Sequence, residues 1–167
     1  VSGLNDGNLT VAVQLTDSMG NAGTVVNSAT VVKDTGAPSG YTAAFTTSPV
    51  NNTNKTAVAF QFAGAEVGST YNYSITSSGG GTAVTGSNTI ASATQSVTGI
   101  DVSGLNDGNL TAAVQLTDST GNAGTVVNST TVVKDTGAPP VTRPPLPPLR
   151  LPMPTKRPPP SNLPGPK

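Results

Sequence analysis

The side chains in this chain that could do chemistry are few. Seven Asp and one Glu are its only carboxylates, and it contains no Cys, no His and no Trp. Without His or Cys, nucleophilic triads cannot be assembled, and zinc, haem and iron–sulfur centres lose their usual ligands. Carboxylates, Asn side chains and backbone carbonyls remain, an oxygen donor set that suits calcium or magnesium. Glu66 and Asp118 could be read as a carboxylate pair for glycoside hydrolysis, but the sequence has no insertion to build a cleft around them. The expectation is therefore a non-enzymatic protein whose acids serve turns or hold a metal ion.

The spacing of those acids is repeated. "TDSMGNAG" at residues 16–23 returns as "TDSTGNAG" at residues 117–124, and the whole of residues 1–38 matches residues 102–139 at 35 of 38 positions. The differences are Val11/Ala112, Met19/Thr120 and Ala29/Thr130. A period of 101 residues is too long for a solenoid unit and fits one complete small domain. The chain then divides into the last third of one repeat (1–38), a whole repeat (39–140) and a different tail (141–167).

The elements that must position the acids are strands. Thr, Val, Ala, Ile and Tyr alternate over short stretches, separated by Gly, Asn, Asp and Ser. Strands are expected at 41–48, 56–62, 69–76, weakly within 81–90, then at 94–100, 109–118 and 124–134. About seven short strands with regular turn signals predict an all-β, immunoglobulin-like sandwich with Greek-key connections. Strands running up and down place Asp34, Glu66, Asp118 and Asn122 at one end of it, and Asp101, Asp107 and Asp135 at the other. In a tandem array, Asp6 of the first repeat and Asp34 of the linker would meet Glu66 and Asp118 of the second. Asp17 occupies in the first repeat the place of Asp118 in the second. Carboxylates crowded at such a seam repel unless compensated, and calcium, with about six to eight oxygen ligands, is the expected compensation. The competing reading is that Asp and Asn serve their own turns, bonding the backbone two residues on.

Charge separates body from tail. Residues 1–140 hold all eight acids against Lys33, Lys55 and Lys134, a net −5, while residues 141–167 hold five cations and no acid. An acidic body argues against nucleic-acid binding there. No apolar run of about 18 residues predicts a membrane-spanning helix, and no signal-peptide pattern stands at Val1, so the chain reads as an excerpt that starts inside a repeat. The tail has 11 Pro in 27 residues, which predicts a polyproline II spacer. Its "PLPPLR" (Pro145, Pro148, Arg150) fits a pattern read by polyproline-binding domains, and its positive charge could meet an anionic surface.

Taken together, "TDSxGNAG", a β-branched strand ending "VVKDTGAP", and "GAEVGSTYNYSI" near the start of the next unit resemble the bacterial Ig-like tandem repeats of large secreted and surface adhesins. The resemblance covers residues 1–139. It implies extracellular extender domains, long rows of sandwiches often stiffened by calcium at their junctions. By position, Asp34 and Asp135 match the linker Asp of the family's "DttaP", and Asp17 and Asp118 match its "DxxGN" Asp; "DTGAP" here departs from it by one lost hydroxyl. The implied partners are neighbouring repeats. Two other functions remain open from the residues. One is a carbohydrate- or receptor-binding module, for which Tyr71 and Tyr73 would be the aromatic platform unless they pack in the sheet. The other is a filament subunit in which residues 1–38 complete a sandwich by strand addition in another copy. A crosslink from Lys55 or Lys134 to an Asn has no identifying spacing.

Overall fold

The computed structural model describes residues 1–140. Period-two alternation is the first cause of its architecture. In β10 (Gly108–Thr117), Leu110, Ala112, Val114 and Leu116 point inward and are fully buried, with half-buried residues between them. The strand β6 (Val58–Ala63) buries Val58, Phe60 and Phe62 in the same way, and β7 (Thr70–Ser77) buries Tyr71 and Ile75. β5 (Thr42–Phe45), β6 and β9 (Ser96–Ile100) form a three-stranded antiparallel sheet. β8 (Val84–Thr89), β7 and β10 continue into β11 (Val127–Asn128) and β12 (Val132–Lys134), which both pair with β10. The inner faces of the two sheets enclose one core, so the expected all-β sandwich repeat is the fold.

Boundaries differ from expectation for identifiable reasons. The first strand is shorter, Thr42–Phe45, because the chain then leaves β6 for the last strand: Val50 N–H donates to the Val133 carbonyl, and Asp135 N–H donates back to Val50. The weak middle region is a single strand, β8. The last strand is split, because the Ser129 hydroxyl takes the N–H of Ala112 at 3.0 Å, replacing a ladder bond with a side chain.

Residues 1–38 fold as a hairpin of the same form. β1 (Gly7–Leu9) pairs with β4 (Val31–Lys33), and β2 (Ala12–Val13) pairs with β3 (Val26–Asn27). Ser28 bonds Val11 as Ser129 bonds Ala112. Its inward face, however, is uncovered: Val13 is 51% exposed and Leu15 79%, where Val114 and Leu116 are at 0%.

Register fixes which loops share an end. Thr117 lies opposite Thr70, and Thr42 opposite Ala63, so the start of β5, the β6–β7 loop and the β10–β11 loop lie together. Gly108 lies opposite Lys134 and Val58 opposite Ile100, which gathers the β9–β10 loop and the exit of β12 at the other end. Among the described residues, Val1–Gly137 form one compact unit. Among the described residues no helix is long and apolar enough to cross a membrane.

Candidate functional site

The acids sort into two kinds of local site. At the exit of the whole repeat, Asp107 in the β9–β10 loop accepts from Lys134 Nζ at 2.9 Å, from Thr136 N–H at 3.0 Å and from the Thr136 hydroxyl. Lys134 ends β12 and is itself buried, 3% exposed, so its ammonium must be paired on site. The Lys134 ammonium and then the Thr136 bonds hold the Asp107 carboxyl at about 2, well below its ordinary value. The first repeat carries the same clamp: Lys33 Nζ donates to Asp6 at 2.7 Å, and Thr35 donates from both backbone and hydroxyl. Asp6 is likewise lowered to about 2, chiefly by Lys33. A lysine from the last strand neutralises each, and the following Thr ties the linker to the same carboxylate.

The second kind of site is the loop after β10. Asp118 caps it, accepting on Oδ1 from Thr120 N–H and Asn122 N–H, each at 2.8 Å, and on Oδ2 from Asn122 Nδ2 at 2.8 Å. Burial pushes its carboxyl up, but the bonds from Asn122 and Thr120 outweigh that and bring it to about 2. Asp17 makes the matching bonds to Met19 and Asn21, and its carboxyl is lowered chiefly by Asn21. These are Asx-type turns, in which the carboxylate organises its own loop.

The linker is seated on this loop. Asn122 Nδ2 donates to the backbone carbonyl of Asp34 at 3.1 Å. Pro38 is fully buried. The Tyr41 hydroxyl accepts from Leu116 N–H at 3.2 Å and donates to the carbonyl of Thr125. Thr35 is bonded to Asp6 of the first repeat, so residues 34–41 are held by the exit loop of one repeat and the β10–β11 loop of the next.

The remaining acids stand apart. Asp34, Asp101 and Asp135 each accept from the backbone N–H two residues on, at Gly36, Ser103 and Gly137. Ser103 lowers the Asp101 carboxyl. Glu66 lies exposed in the β6–β7 loop. Among the described residues, no three Asp or Glu gather as a metal-binding group. The structure brings Asn122 to Asp34 and Asp118, and does not bring Asp6, Glu66, Asp101, Asp107 or Asp135 to the same point. Asp118 accepts on both oxygens from its own loop. Tyr71 and Tyr73 pack inward against Phe62 and Phe60, with ring centroids 5.3 and 5.4 Å apart. Tyr71 is buried and its hydroxyl raised, chiefly by that burial and then by Tyr73. Lys55 meets Asn52, three residues away on the surface, at 2.7 Å, and Lys134 is ion-paired.

Lys33, Lys134, Thr35, Thr136 and Tyr41 are joint residues to which sequence reasoning gave no role at the joint, while Pro38 was expected there as the residue that limits bending of the linker. A signal existed: "NDG" is followed 27 residues after its Asp by "KDT" in both copies, so the clamp recurs as a unit. The Pro-rich pattern at Pro145–Arg150 lies outside the described residues.

No known family's sequence profile matches the chain, and no curated protein does. Among solved structures, the chain is similar to a tetra-tandem repeat in the extending region of a large adhesion protein, 28% identical over 80% of this chain, with a TM-score of 0.53. The present chain spans 33% of that one, about a third of its length. In sequence and in fold, then, this chain is similar to the tandem sandwich repeats that build the extending region of a large adhesion protein.

Proposed function

We propose that the chain is a structural spacer in a bacterial cell-surface adhesin or extracellular filament, with neighbouring repeats as its partners and no catalytic role. The observation that carries this reading is the linker at residues 34–41, bonded at one side to Asp6 and at the other to Asn122, Leu116 and Thr125. A segment held from both sides transmits force and resists bending, which is what a spacer must do. The similarity to an adhesin's extending region supports the same role, the site on the cell surface and the tandem partners.

Calcium is the proposed stiffening ion at this joint. Asp118 Oδ2, Thr120 Oγ1 and the Asp34 carbonyl all lie within 3.1 Å of the single nitrogen Asn122 Nδ2, which has two N–H groups for three acceptors. A point richer in oxygen than in donors suits a hard cation, with the Asn122 side-chain oxygen and the free Asp34 carboxylate oxygen as further ligands. When bound, the ion would supply charge compensation and tie the linker to the loop. Asp6 and Asp107 would take no part, since their lysines already neutralise them.

Small-angle scattering and thermal unfolding of the chain, in calcium and in chelator, test the proposal beside Asp34→Ala and Asn122→Ala. A stiffer particle and a raised melting temperature in calcium, both absent in the variants, are expected. Identical curves with and without calcium would leave the protein contacts alone as the joint. A particle that bends freely at residues 34–41 in both conditions would remove the spacer reading itself.

A further inference from the structure

We propose that the outer edge of β8 pairs antiparallel with the same edge of a second copy of this repeat, joining two arrays side by side. β8 is the last strand of its sheet and lies within the whole repeat at 39–140. Register shows which of its backbone groups look outward. Thr89 lies opposite Thr70, and Ile90 N–H donates to the Ser69 carbonyl at 2.8 Å, so Ile90 faces β7. Direction alternates along an antiparallel strand. Val84, Gly86 and Asn88 therefore bond β7, while Thr85, Ser87 and Thr89 turn their N–H and carbonyl groups away from the sheet. Thr89 is capped within its own repeat. Its N–H donates to Asn88 Oδ1 at 2.8 Å, and its carbonyl accepts from Gln95 Nε2 at 3.3 Å. Among the described residues no such cap serves Thr85 or Ser87, whose donors and acceptors stay open.

That open row is self-complementary. A twofold axis at Gly86 sets Thr85 of one copy opposite Ser87 of the other, and the reverse. Each such pair exchanges both of its N–H to carbonyl bonds and brings a Thr and a Ser hydroxyl together on the polar outer face. Both side chains are exposed. The strand is paired with β7 from Val84 to Thr89, and the Tyr73 ring fills the space a Cβ at Gly86 would need. It is thus already ordered, and pairing costs little rearrangement.

Charge and the other edges single out this strand. Residues 67–100 contain no Asp, Glu, Lys or Arg and no Pro, although the body of residues 1–140 is net −5. Two copies can meet here with no charged side chain in the contact, so like-charge repulsion is least on this side. Sheet edges are usually blunted by Lys, Pro or a bulge, and β8 has none of them. β5 meets β11 at the far side, where Val50 bonds Val133 and Asp135. β9 shares the near side with β8, but its pairing shifts register between Val58 and Phe60, and Gly99 turns it at φ +72°. Antiparallel pairing opposes the directions of the two arrays, as for rods projecting from facing surfaces. A period of 101 residues keeps such arrays in step and multiplies a contact that is weak alone. The proposal rests on the tandem-spacer reading and is independent of calcium.

The full chain has no Cys, so single cysteines report the register without background. Chains carrying Thr85→Cys and Ser87→Cys are mixed under mild oxidation at about 1 mM, near the dissociation constant expected of one contact. Disulfide dimers are expected to form about tenfold faster in the mixture than in either variant alone, since the facing Cα atoms lie about 5.5 Å apart. In a dilution series of the unaltered chain followed by NMR, the amides of Thr85 and Ser87 are expected to move with concentration and that of Val114 to stay. Ser87→Pro removes one outward N–H without touching a bond to β7, and is expected to keep the core spectrum and lose the concentration dependence. Ser87→Lys, which leaves the backbone as it is and puts an ammonium on each copy's edge, is expected to lose it as well. No faster crosslinking in the mixture would overturn the proposal, as would concentration-dependent shifts that survive both Ser87→Pro and Ser87→Lys. Scattering of the dilute single chain reads the spacer separately, so either result leaves that reading standing.

Discussion

Lys134 is buried and Lys33 is not, although their neighbours in sequence are the same. Removing the carboxylate from Asp107 leaves an ammonium with 3% exposure unpaired, while removing it from Asp6 leaves one that water can reach. Asp107→Ala is therefore expected to lower the melting temperature of the sandwich by several degrees, and Asp6→Ala to leave it within error, in calorimetry of the two variants. Acid should do the same work. Asp107 and Asp118 titrate at about 2 in the folded state, below the usual Asp value of about 3.9 in an unfolded chain. Between those values the unfolded state binds more protons, so stability is complete above about pH 5 and falls as pH drops through 4 towards 2. Melting curves recorded from pH 6 to pH 2 should show that fall, and Asp107→Asn should flatten part of it. Tyr41→Phe takes the acceptor from the buried Leu116 N–H, a loss of about 1–3 kcal/mol. Chemical denaturation would read it as a lower midpoint with an unchanged slope.

At the scale of elements, β10 and its sequence twin in the hairpin allow the same substitution in two surroundings. Leu116 is fully buried, and Leu116→Ala is expected to cost about 2–5 kcal/mol, the transfer and cavity loss of a core leucine. Leu15→Ala, on the exposed copy, should change stability by no more than about 0.5 kcal/mol. Equal effects would mean that the hairpin's face is covered in solution. Gly124 makes the corresponding point for the linker, since any Cβ there would displace Pro38 and crowd the Tyr41 hydroxyl. The all-strand make-up and the approximate places of most strands were legible in the sequence, because period-two alternation and turn residues are local signals. The break at Ser129 was not. A hydroxyl that replaces a ladder bond looks, in sequence, like any strand Ser.

For the whole molecule, the two copies should differ in protection as they differ in burial. Amides of β6, β7 and β10 are expected to exchange only through global unfolding, and those of residues 1–33 orders of magnitude faster, in native-state hydrogen exchange. A hairpin with one uncovered apolar face lacks the burial that holds a sheet together alone. Uniform protection along the chain would contradict the exposure of Val13 and Leu15.

The repeat itself separates what each level determines. Thirty-eight positions, identical at 35, form the same paired strands, the same Asx turn at Asp17 and Asp118 and the same Lys–Asp–Thr clamp in both copies. Those features are local: turn chemistry, alternation and pairing within one hairpin are written in adjacent residues. Burial is different. Val114 is at 0% exposure and Val13 at 51%, because β6, β7 and β9 complete a sandwich over one hairpin and not over the other. The sequence alone thus determined the hairpin, its period and its charges. Which face became a core, which lysine became buried and which groove received the linker were decided by strands distant in the chain, since burial depends on what lies across the sheet.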